Sequence, residues 1–116
     1  MIKTVVIYGN IISSMEEFHV EFNNVMGFPS FYGNNMNAWI DCMTSVDVPE
    51  DGLITKNFIN KGELLVLKIC NINEMIKNCP IAYDCLVDGV AFVNYRRMEV
   101  GENPVLILSY FADPNR

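Results

Sequence analysis

The stretch ELLVLKIC, residues 63–70, constrains the fold of this chain most strongly. It is an almost unbroken apolar run of strand length, without the polar alternation of a half-buried strand. Such a run is expected of a strand covered on both faces, as in a parallel sheet flanked by helices. Two further segments read as strands: IKTVVIYG (2–9), rich in β-branched residues and closed by Gly9-Asn10, and VLILSYF (105–111).

Helical segments fill the intervals. In SSMEEFHVEFNNVMG, Ser13 with Glu16 or Ser14 with Glu17 makes a capping box. Phe18, Phe22, Val25 and Met26 recur at helical spacing, and Gly27 ends the helix. A second helix is predicted from about Asn35 to Thr44, with Met36, Trp39, Ile40 and Met43 on its apolar face. Residues 47–62 are turn-rich and irregular. INEMIKNC (72–79) reads as a short helix, and Pro80 opens a long one over about 81–99 that Gly101 and Pro104 break. Strands separated by helices imply right-handed crossovers. The predicted class is α/β: one domain over 1–116, a small three-stranded parallel sheet with about four helices packed on it.

At 116 residues, 51% of them apolar and 19% charged, the chain can bury a core without metal or disulfide staples. No apolar run approaches a membrane span, and the first residues lack the long apolar region and cleavage site of a signal peptide. Cys42, Cys70, Cys79 and Cys85 show no C-x-x-C spacing, and there is one histidine. We therefore expect reduced thiols in a cytoplasmic protein, mostly buried, with no metal site and no cofactor.

The net charge of −6 argues against nucleic acid or an anionic membrane as partner. Between Lys3 and Lys56 there are seven acids and no Lys or Arg, a charge of −7, whereas the remaining residues hold eight Lys and Arg and seven acids. A field of one sign attracts a basic partner. On charge alone, a solvated acidic surface accounts for it equally well.

Nothing marks an enzyme. His19 has no nucleophile or carboxylate placed beside it by sequence, and no phosphate-binding or metalloprotease motif is present. Asp41 and Cys42 are helix neighbours and point about 100° apart. The second helix instead carries a polar stripe of Asn34, Asn37, Asp41 and Thr44, preceded by a loop with Phe31 and Tyr32. An acid, short hydrogen-bonding residues and aromatics make up an interface hot spot. An ordinary solvated face with Phe31 and Tyr32 tucked onto the core has the same spacing. Asp41 opposes the negative end of its helix dipole, and no Lys or Arg lies nearer in sequence than Lys56. From sequence, then, Asp41 is an unpaired acid whose loss leaves stability unchanged or slightly raised.

The segment FYGNNMNAWIDCMTS resembles the signature loop and helix of the barstar family, the intracellular inhibitors of barnase-type ribonucleases. Phe31-Tyr32-Gly33, Asn35, Ala38, Asp41 and Thr44 keep register with it, and the order of strands and helices is similar over most of the chain. The resemblance implies an inhibitor that plugs the active site of a basic, extracellular-type ribonuclease one to one, with Asp41 mimicking the substrate phosphate. Asn37, Thr44 and Asn34 would add hydrogen bonds, Phe31 and Tyr32 would pack at the rim, and Ile40 stands where the family has an aromatic. Asn37 stands where the family has a second helix aspartate, and Ser45 where it has glycine. Glu99, which can share a helix face with Asp84, Asp88 and Tyr95, is the candidate for the family's late acidic contact. Two alternatives stay open: an immunity protein, or antitoxin, against another basic toxin nuclease, and a small-molecule-binding α/β domain using the carboxyl ends of the strands. A deep apolar pocket near Gly9 or Cys70 would mark the latter.

Overall fold

In the computed structural model, which describes residues 1–115, the apolar run forms the central strand. The order of elements is β1 (Ile2–Tyr8), a 3-10 turn (Gly9–Ile11), α1 (Met15–Met26), α2 (Met36–Thr44), a second 3-10 turn (Pro49–Asp51), β2 (Leu64–Cys70), α3 (Ile72–Asn78), α4 (Pro80–Glu99) and β3 (Leu106–Tyr110). β2 lies between β1 and β3 and runs parallel to both, with Leu67 opposite Val5 on one side and Leu108 on the other. The fold is the α/β class read from sequence: three parallel strands in one sheet and four helices.

The covering of that sheet differs from the expectation. Leu65, Leu67 and Ile69 of β2 are buried, but Leu64, Val66 and Cys70 are only half-buried and Lys68 is exposed. One face therefore packs on the helices and the other is largely open, with Ile2, Thr4, Tyr8 and Ile107 exposed. The apolar run misled because Leu64 and Val66 stay apolar where solvent reaches them. An exposed apolar residue is common on a folded surface, so composition alone does not report burial.

The helices begin and end where their caps dictate. Ser14 is the N-cap of α1: its hydroxyl accepts from the Glu17 backbone N–H at 3.1 Å, while the Glu17 carboxylate reaches back to the Ser13 N–H at 3.1 Å. Gly27 closes α1 in the left-handed conformation at φ 69°. The irregular segment after α2 has a structural task. Lys56 N–H donates to the Met26 carbonyl at 3.0 Å, Thr55 N–H to the Gly27 carbonyl at 2.9 Å, and the Asn57 side chain to the Val25 carbonyl at 2.6 Å. It thereby satisfies carbonyls that the end of α1 leaves without partners.

Trp39 of α2 is fully buried, edge-on to Phe22 with ring centroids 5.4 Å apart. A Cβ on Gly89 of α4 would lie 2.9 Å from the Trp39 ring, so the glycine sets how closely α2 and α4 approach. Arg97 then fastens the two helices. Its buried guanidinium pairs through two nitrogens with both Asp47 oxygens, at 3.0 and 2.9 Å. It also donates to the Thr44 carbonyl at the end of α2, and its Nε donates to the Asn103 carbonyl, each at 2.9 Å. Burial alone would raise the Asp47 pKa. The hydrogen bonds and charge of Arg97, with Lys61 3.5 Å away, win and hold it below the usual carboxylate range. The stability this contributes is present above the unfolded pKa and is lost as pH falls through the lowered folded value.

Removing one member of a buried pair strands the other charge, which costs about 3–5 kcal/mol. Asp47→Ala is therefore expected to lower stability by that amount in urea denaturation followed through the fluorescence of Trp39. A loss below about 1 kcal/mol would show that Arg97 finds water instead.

Candidate functional site

The surface of interest is α2 and the loop before it. That loop is built rather than slack. The Asn23 side chain accepts from the Phe28 N–H at 2.9 Å, and Tyr32 N–H donates to the Pro29 carbonyl at 2.9 Å. Phe28 and Tyr32 stack at 4.3 Å. Asn34 takes a left-handed conformation at φ 52°, which asparagine tolerates. Asn35 is the N-cap of α2, accepting from the Ala38 N–H at 2.8 Å.

Three of the sequence-chosen residues stand out on this surface. Asp41 has 66% of its side chain exposed, Phe31 is 77% exposed, and Asn37 is exposed with no side-chain hydrogen bond to the described residues. Asp41 lies beside an apolar hollow of about 320 Å³ lined by Pro29, Phe31, Tyr32, Gly33, Ala38, Cys42 and Leu53. On the other flank of the helix a second apolar hollow runs between α2 and α4, lined by Met36, Ile40, Cys85, Asp88, Gly89 and Phe92. Ile40 is half-buried at its edge. The helix is thus a ridge between two apolar troughs, with its one carboxylate on top.

The structure places the other choices differently. Tyr32 is buried, not at the rim, and its hydroxyl lies 2.5 Å from His19 Nδ1 beneath the loop. It shapes the surface from below. Thr44 is half-buried and its hydroxyl donates to the Ile40 carbonyl at 2.6 Å, so its proton is already used inside the helix. Asn34 precedes the helix rather than belonging to its stripe. The largest correction concerns Asp41, which is not unpaired. Arg96 of α4 donates from Nη1 to Asp41 Oδ1 at 2.9 Å. The α4 group facing the helix acid is therefore this arginine. Glu99 sits exposed at the end of α4 with no contact of that kind among the described residues. Sequence spacing could not show the pair, because 55 residues separate its members.

Burial sets the chemistry of the supporting groups. The Cys42 thiol is pushed up to about 11 by burial and then by the charge of Asp41. It stays protonated and unreactive at neutral pH. Tyr32 is raised by burial and then by Cys42, and His19 is lowered by burial. Among the described residues all four cysteines are free, two of them buried. The carboxyl ends of the strands form an open groove of about 680 Å³, lined by Ile69, Cys70, Ile72, Tyr110 and Phe111 together with the polar Lys68, Asn71, Asn73, Glu74, Ser109 and Asp113. Space at Gly9 is filled, since a Cβ there would lie 2.8 Å from the Asn71 carbonyl.

Residues 2–88 match the family described as barstar (barnase inhibitor), a stretch that covers more than half of the chain and holds both the loop and α2. The chain belongs to the barstar family. Over 57 residues it is also 35% identical to a Bacillus subtilis (strain 168) protein whose name is "Putative ribonuclease inhibitor YrdF". That similarity covers 48% of this chain and 62% of the relative's length. The family is one of inhibitors.

In this barstar-family chain the loop rests on a buried, neutral histidine, which gives a pH signature. Because His19 is held below its ordinary value near 6.5, the unfolded chain binds more protons just below that pH. Stability is full above 6.5 and falls on acidification, by at most about 1.4 kcal/mol per pH unit. With one histidine in the chain, the interval from 6.5 down to about 5, where carboxylates begin to titrate, belongs to His19. His19→Gln is expected to flatten the denaturation midpoint across that interval. An unchanged slope in the variant would contradict the assignment.

Proposed function

We propose that this chain inhibits a ribonuclease of the barnase type by covering its active site one to one, with α2 and the preceding loop as the contact. The observation that carries the reading is the exposed carboxylate of Asp41 on a ridge between two apolar troughs, within the segment that matches the family. A ribonuclease binds phosphate, so its active site is cationic, and a carboxylate held proud of the surface can take the place of the substrate phosphate. Asn37 and Asn34 offer hydrogen bonds beside it, Thr44 its remaining lone pairs, and Phe31 and Ile40 apolar area. Tyr32 holds the loop from beneath, and Glu99 adds charge at the far end of α4. The net charge of −6 favours a basic partner over nucleic acid and speeds their encounter. Among the described residues no helix is long and apolar enough to cross a membrane. Four free thiols suit the cytoplasm, where such an inhibitor would protect cellular RNA.

The test separates binding from folding. The exposed ion pair of Asp41 contributes at most about 1 kcal/mol, and the helix dipole opposes it by about 0.3–1 kcal/mol. Asp41→Ala is therefore expected to leave stability within about 0.5 kcal/mol of the parent, close to neutral rather than stabilising. The same change is expected to weaken inhibition of barnase by about 2 kcal/mol or more, roughly thirtyfold in inhibition constant, because it leaves the enzyme's cations buried and unpaired. Unfolding of Asp41→Ala with undiminished inhibition per folded molecule would make the aspartate structural and remove the proposal.

A further inference from the structure

The inhibitory surface does not present Asp41 as a free anion. Arg96 reaches it from α4 with one nitrogen on one oxygen, which leaves Oδ2 open to a partner. The placement of Arg96 is set by the fold, because its neighbour Arg97 is locked to Asp47 and to the end of α2. Position 96 lies one helical repeat beyond Phe92, which lines the trough between α2 and α4, and Phe92 in turn lies one repeat beyond Asp88. The face of α4 beside the Asp41 ridge thus runs from an acid through an aromatic to a guanidinium. It lies largely outside residues 2–88, so the family match assigns nothing to Arg96.

We propose that Arg96 is a specificity-determining residue of this surface, lowering its affinity for active sites that meet Asp41 with cations alone. The inference rests on the reading of Asp41 as the group that enters the enzyme. Any cation that docks on Oδ2 comes to lie close to the Arg96 guanidinium. The exposed Arg96–Asp41 pair is weak in the free protein, because water and salt screen it, so its value in fixing the Asp41 rotamer is small. Repulsion between two cations enclosed in a complex is screened far less and outweighs that small gain. The surface therefore discriminates against an active site in proportion to the cationic charge brought up to Oδ2.

The test measures inhibition constants against barnase for the parent chain, Arg96→Ala, Arg96→Glu, Asp41→Ala and the double variant Asp41→Ala/Arg96→Ala. Arg96→Ala is expected to lower the constant fivefold or more, Arg96→Glu to lower it further, and the gain from Arg96→Ala to vanish once Asp41 is alanine. An Arg96→Ala constant that is unchanged or higher overturns the proposal and makes Arg96 a positioning residue, while a loss of inhibition in Asp41→Ala still upholds the reading beneath it. An Asp41→Ala constant equal to that of the parent overturns that reading and the proposal with it.

Discussion

The Arg97–Asp47 pair holds the functional end of the molecule together. One guanidinium joins the last turn of α2, the segment leaving α2, the end of α4 and the loop that leads to β3. An α-helix ends with carbonyls that lack partners, and the C-terminus of α2 answers this with a buried cation rather than a glycine cap. Asp47 completes the arrangement, since an arginine buried without a counter-charge would be costly. With α4 fixed against α2, Gly89 can accept the Trp39 ring and Arg96 can reach Asp41.

This reverses the reason the sequence offers for singling out Asp41. Along the chain Asp41 stands in a long interval without Lys or Arg, near the unfavourable end of its dipole. In space that end is met by two successive arginines, one outside on Asp41 and one inside on Asp47 and the Thr44 carbonyl. The acidic half is also less acidic at its surface than the charge count implies. Asp47 and Glu21 are buried, the latter accepting from the Tyr8 N–H at 3.1 Å. What sets Asp41 apart is exposure on a ridge between apolar troughs, not an unrelieved electrostatic strain.

Most of the fold is legible in the sequence because its signals are local. The box at Ser14 and Glu17, the glycine at position 27, the proline at position 80, the spacing of Phe18 with Phe22 and the spacing of Met36, Trp39 and Met43 each act within a few residues, and α1, α2 and α4 fall where those signals place them. Much of the site is illegible for the opposite reason. Arg96 with Asp41 and Arg97 with Asp47 join residues 55 and 50 positions apart. The hydrogen bond of His19 with Tyr32 needs a loop folded back over α1. The open face of the sheet is hidden too, since Leu64 and Val66 are as apolar as the buried Leu65 and Leu67.

The central claim is that one face, made of the 28–35 loop, α2 and the outer side of α4, receives the partner. The most direct measurement is a proton–nitrogen correlation spectrum of the isotope-labelled chain during titration with unlabelled barnase. The account predicts that the largest changes fall on Phe31, Asn34, Asn37, Asp41, Phe92 and Arg96, while Ile2, Thr4, Lys68 and Ile107 on the open sheet face stay in place. Changes centred instead on Lys68, Asn73 and Tyr110, at the carboxyl ends of the strands, would contradict it.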